Sequence, residues 1–218
     1  VQSGRMTTPG AASSVDERPT LWLCRHGETD WSRSGRHTGT SDLDLTDVGT
    51  HEAVLAGHVL RAERFGLVLT SPLRRARETA RIAGFPGAQV ERNAVEWDYG
   101  DYEGLTTVEV RERDPGWTIW HGHVPGGERA DDVGARADRI VARVRAAGVP
   151  TLLFSHGHFL RVLAARWLGL PPTRGESLKL DTATVSELGW ERDAPAVVRW
   201  NLRPPDPVTG AGPAGTAP

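Results

Sequence analysis

The chain has 218 residues, 25% of them charged and 38% hydrophobic, with a formal net charge of −2. That length suits one large domain or two small ones with a substantial core, and the near-balanced charge excludes a strong basic field for nucleic acid or an anionic membrane. The lone cysteine, Cys24, excludes an intrachain disulfide framework and a multi-thiolate zinc site.

Residues 1–18 are small and polar and read as disordered, without the apolar core of a signal peptide. "VQSGR", ahead of the sole methionine Met6, reads as a remnant that precedes the native start, and the chain as a whole reads as cytoplasmic. "TLWLC" (20–24) is a buried strand that breaks into Arg25, His26, Gly27 and Glu28. Thr46 caps a helix whose apolar positions Val48, Val54, Leu55, Val59 and Leu60 recur at helical spacing. "GLVLTS" (66–71) is the next strand, with Ser71 as cap and Pro72 as first residue of the helix "PLRRARETARIAG". "AQVER" (88–92) is a short strand. From 93 to 127 the periodicity weakens while Trp, Gly, His and Pro accumulate, which predicts an irregular insertion.

A long helix, "ERADDVGARADRIVARVRAAG", follows with Ile140, Val141 and Val144 on one face. "PTLLFSHG" (150–157) repeats the strand-to-Gly/His pattern, and "HFLRVLAARWLGL" is an apolar helix. "TATVSELGW" and "AVVRWNL" read as two neighbouring antiparallel strands, and 204–218 as a disordered Pro/Gly-rich tail. No apolar run approaches the roughly 20 residues of a membrane-spanning helix. The alternation predicts one α/β domain over 19–203 with a mostly parallel central sheet.

In such sheets ligands bind beyond the carboxyl ends of the strands. "RHGET", "SPLRR" and "SHGH" each follow a predicted strand, so Arg25, His26, one arginine of the 74/75 pair and His156 converge on one sheet edge. Zinc favours carboxylate or thiolate companions, which disfavours a metal in so cationic a cluster. A doubly negative phosphoryl group fits it, and neutral imidazole is a competent nucleophile toward phosphorus. Lys179 is the only lysine, so nearly every cation is an arginine, whose planar fork matches phosphate.

"LCRHGETDW", "SPLRRARETA", "EWDYGDYEGL" and "FSHGHFLR" resemble, in order, the motifs of the histidine phosphatase (phosphoglycerate mutase-like) superfamily, over roughly residues 20–200. The resemblance implies a three-layer α/β/α sandwich without metal or organic cofactor, and often a homodimer. It implies that His26 becomes phosphorylated, that Arg25 and Arg75 bind the phosphoryl oxygens, and that His156 stabilises the transferring charge. Glu96 would protonate the leaving group and later activate water. Ser32, Thr38, Gly39 and Gly157 match substrate- or phosphate-contacting positions. Arg161, one helical turn from His158, is a candidate for a distal anionic group.

Several residues read as structural instead. Cys24 is packing, Arg74 points away from the pocket, Glu28 and Asp30 belong to loop or solvent, His121 and His123 are exposed loop groups, and His51 and His58 lie seven apart along a structural helix. Trp97 and Trp120 are the two tryptophans of eight singled out as ligand stackers, because they lie in the insertion. Trp97 and Asp98 stand where the mutases carry cations, and the motif set resembles bacterial acid phosphatases and sedoheptulose-type bisphosphatases most. The expected activity is hydrolysis of a small phosphomonoester, a sugar phosphate for instance, favoured in mild acid because Glu96 must be protonated. The alternatives are a phosphoglycerate mutase, a protein phosphatase of the same fold and a non-catalytic binding module.

Overall fold

The computed structural model describes residues 18–205. The expectations for residues 1–17 and 206–218 lie outside them, while Arg18, assigned to the polar leader, donates to Arg192 O at 2.8 Å. Six strands, β1 (Leu21–Arg25), β2 (Leu67–Thr70), β3 (Gln89–Val90), β4 (Thr151–Ser155), β5 (Val185–Glu191) and β6 (Ala194–Leu202), form one sheet in the order β3-β2-β4-β1-β5-β6. The first four run parallel, and β5 and β6 add an antiparallel edge. Helices are α1 (Asp30–Ser34), α2 (Asp47–Leu60), α3 (Arg74–Ile82), α4 (Thr107–Arg111), α5 (Ala130–Ala147) and α6 (Gly157–Trp167).

Strand alternation builds the layers. Trp22, Cys24, Leu152 and Phe154 face α2 and α3 through Ala56, Leu60, Ala80 and Ala83. Leu21, Leu23, Leu69 and Leu153 face α5 and α6 through Ile140, Val144, Leu160 and Leu163. Both faces are thus covered, as a parallel sheet requires, and each buried Leu, Ile, Val or Phe among them contributes about 1.5–3 kcal/mol. Cys24 is fully buried, and burial pushes its thiol well above the ordinary range. Among the described residues no helix is long and apolar enough to cross a membrane.

Three local expectations need correction. The buried face of α2 is Gly49, Ala53, Ala56, Gly57 and Leu60, whereas Val48 and Val54 are exposed. Backbone crowding explains it, since a Cβ on Gly49 would stand 2.1 Å from Glu28 O. The third helix begins at Arg74 with Leu73 as its cap residue, not at Pro72. Ser71 Oγ accepts from Leu73 N–H at 3.3 Å as well as facing His156 Nε2, and Asp42 accepts the first helical N–H, that of Arg74, at 2.7 Å. Trp97 and Trp120 are core residues that pack edge-on at 5.8 Å, so neither is a free stacking platform. The 93–127 segment is irregular as expected, holding 3-10 turns and the short α4.

Candidate active site

The parallel register sets the site. Arg25 pairs with Ser155, and each ladder continues one residue further: His26 N–H donates to Ser155 O and Ser71 N–H to Phe154 O, both at 2.9 Å. His26, His156 and Ser71 therefore leave the sheet side by side, with the two imidazole centroids 5.2 Å apart.

His26 follows β1 at a turn that only glycine permits, because a Cβ on Gly27 would lie 2.2 Å from Gly49 O at the start of α2. Its Nδ1 stands 2.8 Å from Gly27 O. A carbonyl only accepts, so Nδ1 carries the proton and Nε2 keeps its lone pair. Burial, then the charges of Arg75 and Arg25, hold the His26 pKa well below the ordinary value, so the ring is neutral. Arg25 donates to Leu180 O at 2.6 Å, and its Nε is buried without a hydrogen-bond partner.

Behind His26, Arg75 and His156 are completely buried. Arg75 donates through Nε to His156 Nδ1 at 3.2 Å, so Nδ1 accepts and Nε2 carries the proton toward Ser71 Oγ at 2.7 Å. Burial and the Arg75 charge also keep His156 neutral. Arg74, by contrast, pairs with Asp44 at the surface.

Glu96 is positioned by the start of α6. His156 is the cap residue of that helix but offers no side-chain bond, and Glu96 replaces it. Its carboxylate accepts from Phe159 N–H at 2.8 Å, Trp97 N–H at 2.9 Å and His158 N–H at 3.0 Å. Two otherwise orphaned helix donors are thereby satisfied by the two Glu96 oxygens.

A cavity of about 200 Å³ opens over this cluster, lined by Arg25, His26, Ser32, Thr38, Glu96, Gly157 and Arg161 among others. Arg75 and His156 lie behind that wall, and Gly39 faces Glu103 rather than the cavity. Ser32 also closes a capping box with Thr29. Arg161 reaches the cavity with its fork donating to Gly175 O and Glu176 O, both at 3.0 Å, over the Trp120 ring. His121 and His123 are exposed and outside it. Glu28 accepts from Thr46 and Asp30 is exposed, in keeping with their loop reading. The wall also holds Arg36, His37, Tyr99 and His158, which sequence reasoning passed over. His37 adjoins Thr38 in "RHTG", but nothing local shows its ring stacking on Tyr99 at 4.7 Å or the Tyr99 hydroxyl meeting His158 Nδ1 at 2.6 Å. The arrangement offers a neutral nucleophilic nitrogen, guanidinium donors and a carboxylate on one small space.

Comparison with known proteins bears on this geometry. The profile of the histidine phosphatase superfamily (branch 1) matches residues 21–203. An acid phosphatase of Mycobacterium tuberculosis is 42% identical over 78% of this chain and 86% of its own. Sedoheptulose 1,7-bisphosphatase of Saccharomyces cerevisiae is 33% identical over 70% of this chain and 68% of its own. The solved structure of the open reading frame Rv3214 product of Mycobacterium tuberculosis superposes with a TM-score of 0.82 at 40% identity, covering 85% of this chain and 98% of that one.

Proposed function

The chain belongs to branch 1 of the histidine phosphatase superfamily and is a phosphatase, and on that premise we propose that it hydrolyses small phosphomonoesters, sugar phosphates among them, through a phosphohistidine on His26. The observation that carries this reading is the pairing of a lone-pair-bearing Nε2 on His26 with the unpartnered, buried Nε of Arg25. A buried cationic donor without an acceptor is costly, and a phosphoryl oxygen would satisfy it while bringing phosphorus within reach of the imidazole.

In the first step Nε2 attacks phosphorus, the P–O ester bond breaks, and Glu96 gives its proton to the departing alcohol oxygen. In the second, Glu96 takes a proton from water, the water oxygen attacks phosphorus, the N–P bond breaks and inorganic phosphate leaves. Arg25 neutralises the equatorial oxygens, and Arg75, held in place by the neutral His156 ring, supplies fixed positive potential from behind. The mutase alternative lacks support at two positions, since Trp97 is core and the Asp98 carboxylate accepts from Gly100 N–H at 2.9 Å. The test is phosphate release from a panel of phosphorylated metabolites with His26→Ala as the blank. Release above the blank supports the reading, and equal release by the variant overturns it. Conversion of 3- to 2-phosphoglycerate without free phosphate would restore the mutase.

A further inference from the structure

Arg75 owes its place to a loop, and that loop owes its shape to a carboxylate outside the expected catalytic set. The guanidinium donates to Ser41 O at 2.8 Å, Thr38 O at 3.0 Å and Gly39 O at 3.2 Å. Three carbonyls on one side leave Nε alone to reach His156. The amides of such a partly buried loop need acceptors of their own, and something must hold them. Here Glu103 does so: its carboxylate accepts from Gly39 N–H at 3.0 and 2.9 Å and from Ser41 N–H at 3.0 Å. The Thr38–Gly39 peptide shows the coupling directly: its N–H is held by Glu103, and its C=O, which points the opposite way, accepts from Arg75, while the grip on Ser41 N–H fixes the far end of the same loop.

The other side of the loop is equally confined. A Cβ on Gly39 would stand 2.5 Å from Trp97 O and 2.9 Å from Glu103 Oε2, so the segment is pinned between fixed backbone and the carboxylate. Glu103 also brings an anion near Arg75, which tempers the cost of burying that cation.

We propose that Glu103 is a positioning residue for phosphoryl transfer, acting through the 38–41 loop to set the Arg75 guanidinium and, through Arg75, the His156 ring. It touches no reacting atom. The inference rests on the reading of Arg75 and His156 as groups of the phosphoryl site.

A double-mutant cycle tests it. Glu103→Ala, Arg75→Ala and the pair are compared for kcat/KM on an aryl phosphate, for inhibition by inorganic phosphate and for melting temperature. Glu103→Ala alone should lower kcat/KM about tenfold, within the coupling range of residues in one hydrogen-bond network. Phosphate inhibition should weaken with it. In the Arg75→Ala background the same change should cost less than about twofold, since the residue it acts through is already gone. Equal losses in both backgrounds would overturn the proposal and leave Glu103 a merely structural residue. A fully active Arg75→Ala would instead overturn the reading of the site itself. If Glu103→Ala does not fold, Glu103→Gln replaces it in the same cycle: its amide nitrogen would face the Gly39 N–H, so it disturbs the grip without removing the side chain.

Discussion

The junctions after β1 and β4 carry nearly the same signature, "RHG" and "SHG", on adjacent strands in register, yet the two histidines end in different states. His26 has one ring nitrogen tied to its neighbour's carbonyl and lines the cavity. His156 has both ring nitrogens engaged, by Arg75 and by Ser71, and lies behind the wall. The His-Gly pair is the same, and the state of His156 comes from what other segments bring, Arg75 and Ser71. A histidine becomes a nucleophile where the fold leaves a lone pair unclaimed, and a scaffold where it claims both nitrogens.

The largest expected effect breaks the pair apart. His26→Ala should lower kcat by about 10⁴-fold or more, as loss of a nucleophile does, whereas His156→Ala should lower it by about 10²-fold, as loss of one member of the hydrogen-bond network behind the site does. Trapping with radiolabelled ester should give an acid-labile phosphoenzyme in the wild type and none in His26→Ala. Equal losses in both variants would erase the distinction between the junctions. Next in size, Glu96→Gln should cost about 10²–10⁴-fold on an alkyl phosphate, the span of general acid–base catalysis. A nitrophenyl ester, whose leaving group departs without a proton, should lose less in the transfer step, and equal losses on both esters would argue against proton donation by Glu96.

Acid titration should show where the two junctions are alike. His26, His37, His156 and His158 are all held below the ordinary histidine pKa, chiefly by burial. In the unfolded chain they take up protons near pH 6.5, so below that point the unfolded state binds more protons and stability falls with pH. The slope reaches at most about 1.4 kcal/mol per pH unit for each proton. Urea midpoints from pH 7.5 to 5 should decline, and His26→Gln or His156→Gln should flatten the decline similarly. A midpoint constant over that range would contradict the neutral, buried state assigned to all four rings.

The junctions also show what was legible beforehand. Strand–helix alternation and the three polar clusters at strand ends carried the layers of the sandwich and the convergence of Arg25, His26 and His156, because periodicity and strand direction are local properties. The face of α2 was misread because its contact is made by glycine and alanine, which periodicity scoring by large apolar residues overlooks. Trp97 and Trp120 were misread because an irregular segment still folds back onto the core. Glu103, and Ser71 as a partner of His156, were invisible for one shared reason: each acts on residues tens of positions away, and no spacing rule encodes such a pair.

Ser71→Ala is the smallest of these effects and the sharpest probe of the comparison. Ser71 Oγ accepts the His156 Nε2–H hydrogen bond at 2.7 Å, and His26 has no such side-chain partner among the described residues. Removing the hydroxyl leaves a buried donor unmatched, which should cost about 1–3 kcal/mol of stability. The ring then hangs on Arg75 alone, and an imidazole held at one nitrogen can pivot about that bond. A ring that pivots no longer fixes the Arg75 guanidinium beside the site, so kcat/KM should fall about tenfold, well short of deleting the imidazole. Denaturant titration and kinetics on the same preparation separate the two effects. Lost stability with unchanged kcat/KM would mean that Arg75 orients His156 unaided, and that one long-range partner rather than two suffices to turn a histidine from nucleophile into scaffold.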